Sequence, residues 1–195
     1  MPDQRARINR ATSTDTQPVS LADAKKQLEI APDDDSHDCY LIEAIEAARE
    51  QFEIDTPYVT TPQEVELLLD CFPRGGVVRL PIRPVQSLVS VLYLDDDGAE
   101  QTMGVDVAAL DRRGRSLVLR NGQQWPSGIT QADSVVITVS AGYAQGEVPK
   151  LMKRAMCLQI GKWFEDRDMM FSVPDQQFDQ AYQRLIRKMM RSTYP

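Results

Sequence analysis

Apolar residues fall at helical spacing in four stretches and switch to strand-like alternation in the stretch between the second and the third. The clearest helix covers 148–167. Val148, Leu151, Met152, Ala155, Met156, Ile160 and Trp163 share one face, and Lys150, Lys153, Arg154 and Lys162 lie largely between them. The spacing places Trp163 in the core. A second helix is expected over 36–54, with Tyr40, Leu41, Ala44, Ile45, Ala48 and Phe52 as its stripe. A short one over 20–28 opens on Ser20 as N-cap, with Asp23 three residues on. The last runs from about 175 to 192, with Phe178, Tyr182, Leu185, Ile186 and Met189 on one face. Between 60 and 142 the period changes to two, and strands are expected at 64–72, 77–80, 88–95, 116–120 and 134–140. Val135, Ile137 and Val139 alternate with Val136, Thr138 and Ser140, as in a half-buried antiparallel strand. Turn signals separate the strands at 73–76, 95–98, 112–114 and 121–122.

The pattern predicts an α+β fold: a helical body of about four helices with an antiparallel β-rich insertion between the N-terminal and C-terminal helix pairs. Residues 1–19 are polar and read as a flexible N-terminal arm, extended or mobile. Residues 20–168 form the main domain, with helices 20–28 and 36–54, a β module at 60–142 and a helix at 148–167. Residues 169–195 add a C-terminal helix separable from that domain.

Composition narrows the class. At 195 residues, with 42% hydrophobic and 26% charged residues, the chain can bury a core of ordinary size. No apolar run approaches a membrane span, and the first twenty residues lack a signal-peptide core, so folding in the cytoplasm is expected. Three scattered cysteines read as reduced, mostly buried thiols. The net charge of −7 argues against generic nucleic-acid binding, but it is unevenly spread. Residues 150–195 hold nine Lys/Arg against five acids, a net +4, which leaves −11 on residues 1–149.

Candidate chemistry is sparse. Asp33, Asp34, Asp35 and Asp38 precede or open the second helix, where its dipole favours negative charge. With His37 they lack the alternating oxygens and the glycine turn of a calcium loop. Asp95-Asp96-Asp97-Gly98 reads as a tight turn. No cofactor, metal or nucleophile–base pair is expected. The last helix is the best surface candidate. Arg184, Arg187, Lys188 and Arg191 fall at i, i+3, i+4 and i+7, opposite an apolar face to which both Met189 and Met190 are assigned. Packing on the chain's own core and docking to a partner fit that pattern equally well.

Leu80-Pro81-Ile82-Arg83-Pro84-Val85-Gln86-Ser87, continuing through Ser90-Val91-Leu92-Tyr93 to Asp95-Asp96-Asp97-Gly98, resembles a recurrent block of tailed-phage head–tail connector proteins. These are the adaptor or head-completion proteins of the gp6-like and gp8-like families. Trp125-Pro126, Ala141-Gly142-Tyr143, Val148-Pro149, Ala155, Trp163 and Arg167 follow in the same order, and Ser20-Leu21, Ala24-Lys25 and Leu28 match ahead of it. Coverage is about residues 20–168. Val105 to Arg115 is less strand-like than the family pattern. The resemblance implies a non-catalytic virion protein, made in the host cytoplasm and assembled as a homo-oligomeric ring beneath the portal protein. That ring would extend the DNA channel, let genomic DNA pass without sequence-specific binding, and offer a platform to a stopper or tail-completion protein. It also implies that the C-terminal segment reaches the portal. The docking candidates are Phe171, Tyr182, Arg184, Leu185, Ile186, Arg187, Lys188, Met189, Arg191 and Tyr194.

Two other readings stand beside the connector. A nucleic-acid-binding packaging or regulatory protein would use the basic C-terminal helix, with a steep salt dependence. A metal-dependent hydrolase would need the two acidic runs and His37 to converge in a cleft.

Overall fold

A computed structural model describes residues 7–10, 16–104, 106–126, 131–167 and 176–191. The chain divides into two compact units: Met1–Thr14 with Pro62–Gly142, and Asp15–Thr61 with Tyr143–Pro195. Four helices and eight strands in antiparallel sheets, counted among the described residues, make the α+β fold that the periodicity predicts.

The second unit is helical: α1 (Leu21–Gln27), α2 (Asp38–Asp55), α3 (Lys150–Arg167) and α4 (Gln176–Arg191). Ser20 caps α1 as expected, its Oγ accepting from the Asp23 N–H at 3.1 Å. Helix α2 begins two residues later than the pattern suggests. Asp34 Oδ1 accepts from the Ser36 N–H at 3.0 Å and from its hydroxyl at 2.6 Å, which holds Ser36 in a local turn outside the helix. The expected stripe of α2 is buried from Leu41 through Phe52, and Tyr40 lies at its margin. It joins Met152, Ala155, Met156 and Ile160 of α3 in one core cluster. Trp163 departs from expectation. It is half-buried and packed against that cluster rather than within it, near the end of α3, and its carbonyl accepts from Tyr40 Oη at 2.8 Å. The Pro149 carbonyl receives the first helical bonds of α3, from Met152 and Lys153.

Three charged side chains are buried in this unit against the usual rule. Lys25 forms a 2.6 Å ion pair with Asp38, tying α1 to the start of α2. Arg49 and Glu53, one turn apart on α2, lie 3.9 Å apart. Glu53 Oε1 also accepts from the Thr60 N–H at 2.7 Å and its hydroxyl at 2.6 Å. That carboxylate fixes the course of the chain just after α2.

The other unit holds a five-stranded sheet in the order β1 (Arg7–Arg10), β2 (Gln63–Leu69), β8 (Val135–Ala141), β4 (Val85–Leu94), β5 (Glu100–Thr102). A three-stranded sheet runs β3 (Val77–Arg79), β7 (Ser116–Leu119), β6 (Ala108–Leu110). Register explains the core. Val65, Leu67 and Leu69 stand opposite Val139, Ile137 and Val135, so that face of the central pair is apolar from Val65 onward. Part of the arm is more ordered than the sequence suggests, since Arg7–Arg10 pairs with β2 as an edge strand. Strands β5 and β6 are also additions to the expected set.

Turn chemistry follows the sequence. Asp95 Oδ1 accepts from the N–H groups of Asp97 and Ala99, and Gly98 takes φ +79°. The Gln101 amide and those backbone N–H groups hold the Asp95 carboxyl below its usual pKa. Gly114 has φ +59°, and a Cβ there would stand 2.5 Å from the Val85 carbonyl oxygen, so the turn at 112–114 requires glycine. Trp125 stacks on Phe72 with ring centres 5.0 Å apart and donates its indole N–H to the Gly75 carbonyl at 2.8 Å.

Candidate docking surface

Helix α4 separates its side chains as the sequence predicts, and its two faces have different fates. Tyr182, Ile186 and Met189 are buried in the core of the helical unit, and Leu185 packs against it. Tyr182 Oη donates to Asp55 Oδ2 at 2.9 Å, which binds α4 to the C-terminal end of α2. Burial, followed by that bond and the charge of Asp55, pushes the Tyr182 phenol well above its ordinary range. Lys162 of α3 pairs with Asp179 of α4 at 2.6 Å. The apolar half of the candidate docking set is therefore packed within this chain, and a helix expected to be separable shares its unit's core.

The basic half faces outward. Arg184, Arg187 and Lys188 are exposed, and the last two complement the helix C-terminus. Arg191 closes the helix, and its side chain lies outside the described residues, as do Phe171 and Tyr194. One assignment is corrected. Successive helical residues are about 100° apart, so Met189 enters the core while Met190 is 52% exposed beside the basic face. That neighbour was legible from helical geometry once Met189 was placed.

The remaining candidates stay apart. Asp34 is held below its usual pKa by Ser36, and Asp38 is engaged with Lys25. Among the described residues no three His, Cys, Asp or Glu side chains gather as a metal site requires. The cysteines are free. Cys39 is exposed, contrary to the expectation of burial, whereas Cys71 and Cys157 are half-buried and burial pushes the Cys157 thiol up. No described helix is long and apolar enough to cross a membrane.

No family model matches the sequence, and no curated protein matches it. The fold has clear counterparts among solved structures. A chain from the neck of an empty GTA particle, computed with C6 symmetry, superposes with TM-score 0.72 at 19% identity, covering 92% of this chain and 94% of that one. A chain from the virion of a native gene transfer agent (GTA) particle gives 0.72 at 20% identity, covering 91% and 94%. A chain from the neck of a native GTA particle, computed with C12 symmetry, gives 0.68 at 18% identity, covering 92% and 94%. At such identities the likeness establishes the fold, over nearly the whole of each chain.

Proposed function

We propose that this protein is a structural head–tail connector, or adaptor, in the neck of a tailed phage or phage-like particle. It assembles as a homo-oligomeric ring beneath the portal, extends the DNA channel, and carries the stopper or tail-completion protein on its far side. The observation behind this reading is the likeness, over 92% of the chain, to chains from particle necks. The symmetry of those necks supports a ring. The role is architectural rather than catalytic. The acidic bulk of the chain suits a conduit, because DNA slides past a surface that does not exchange counterions for phosphates.

Portal docking is assigned to the outward face of α4, through Arg184, Arg187, Lys188 and Met190, with Phe171, Arg191 and Tyr194 as further candidates. This assignment requires a portal surface that is acidic with an apolar notch. Co-purification with a cognate portal, followed by electron microscopy, tests the assignment. A ring stacked coaxially on the portal is expected; two particles that never associate contradict it. The exposed basic face also supports a second reading, a DNA-binding packaging protein. That reading requires duplex DNA affinity that falls steeply with salt and is lost on reversing Arg184, Arg187 and Lys188.

A further inference from the structure

Helix α2 presents an acidic stripe on the side away from its core. Glu43, Glu46 and Glu50 are exposed and follow one another at helical spacing. Two isoleucines flank them, Ile42 at 49% and Ile54 at 75% exposure. Among the described residues, Glu50 alone of the three has a cation near, Arg49 Nη2 at 3.7 Å. The same helical unit carries a groove of about 600 Å³ between α1 and the first half of α3. Lys26, Lys150, Lys153 and Arg154 line it, against two acids, Asp23 and Glu29. Val19 and Val148, both buried, form its floor.

We infer that this groove receives the acidic stripe of α2 from a second copy of the chain, and that this contact joins neighbours in the ring. The inference rests on the connector reading and names the surfaces that build its ring. Every copy carries one acidic stripe and one cationic groove on different elements. Stripe against stripe, or groove against groove, sets like charges together. Stripe against groove pairs opposite ones. Such a contact is head-to-tail, so it propagates from copy to copy and closes where the rotation closes. The net repulsion between copies of charge −7 is long-range and is screened beyond about 8 Å at physiological salt, whereas the paired groups meet in contact.

Carbodiimide coupling of the intact chain, with one copy isotope-labelled, tests this directly. The reagent joins a carboxylate to an amine only where the two already touch. Inter-copy links from Glu43 or Glu46 to Lys26, Lys150 or Lys153 are expected. A stripe variant (Glu43→Lys with Glu46→Lys) and a groove variant (Lys150→Glu with Lys153→Glu) should each lose association about tenfold or more. Mixed together they should recover it, because each then offers the charge that the other needs. Circular dichroism confirms that both are folded, and recovery in the mixture shows it independently. Inter-copy links confined to other surfaces, none at the solubility limit, or a mixture as weak as either variant would overturn the contact. Open chains carrying the stripe-to-groove link would support the contact and remove the ring, while rings lacking that link would do the reverse.

Discussion

Glu53 is 2% exposed and engages Arg49 and both donors of Thr60. Glu53→Ala leaves the Arg49 guanidinium buried without that carboxylate, so about 3–5 kcal/mol should be lost in urea unfolding. Glu53→Gln should cost less, since an amide oxygen still accepts from Thr60. Equal losses for the two would mean that the charge, rather than the hydrogen bonds, dominates. Nothing in the sequence marks these residues as buried. Positions 49 and 53 sit one step beyond the stripe of 41, 45, 48 and 52, where a charged side chain is normally wet. Lys25 escaped notice for the same reason, because its partner Asp38 lies across a loop. Ser20 and the Asp95–Gly98 turn were legible because their bonds close within three or four residues and need no tertiary context.

Helix α4 is where pattern alone stopped short. Amphipathicity showed that one face must be covered, but not by what; the burial of Tyr182, Ile186 and Met189 in the helical unit answers that. A chain ending at Arg167 should therefore be less stable and less cooperative, and Met189→Ala alone should cost about 2–5 kcal/mol. A truncated chain that melts like its parent would contradict the packing. Reversing Arg184, Arg187 and Lys188 to Glu touches only exposed side chains and should move stability by no more than about 0.5 kcal/mol per site. Portal affinity should nevertheless fall, chiefly through the on-rate and in a salt-dependent way. Tyr182 adds a pH signature. Its folded-state pKa is raised above the ordinary 10.0, so its contribution is complete below that pH. Above it, the unfolded phenol ionises while the folded one stays protonated, and stability declines as pH rises. Tyr182→Phe should flatten that alkaline decline relative to the parent in paired melts. The strands that periodicity does not reveal, β1, β5 and β6, have three or four residues each. Runs so short show no alternation, and they are strands because a partner strand lies beside them.

The whole chain combines an acidic body, a cationic C-terminal segment and a fold shared with chains from GTA particle necks across nearly its full length. The helix–sheet–helix order and the class of fold were legible from periodicity, which depends only on which residues are apolar. The division into two compact units was not, because it depends on contacts between segments far apart in sequence. Charge asymmetry suggested two kinds of surface, and the structure gives each an address: exposed acids along α2, exposed cations on α4 and at the start of α3. The proposed role requires copies of this chain to form a ring beneath a portal. Cryo-electron microscopy of the protein mixed with its cognate portal measures this most directly. A closed ring is expected, coaxial with the portal, with α4 turned toward it and an open central channel. Portal particles that remain bare at saturating protein, while the chain stays folded in the same buffer, would contradict it.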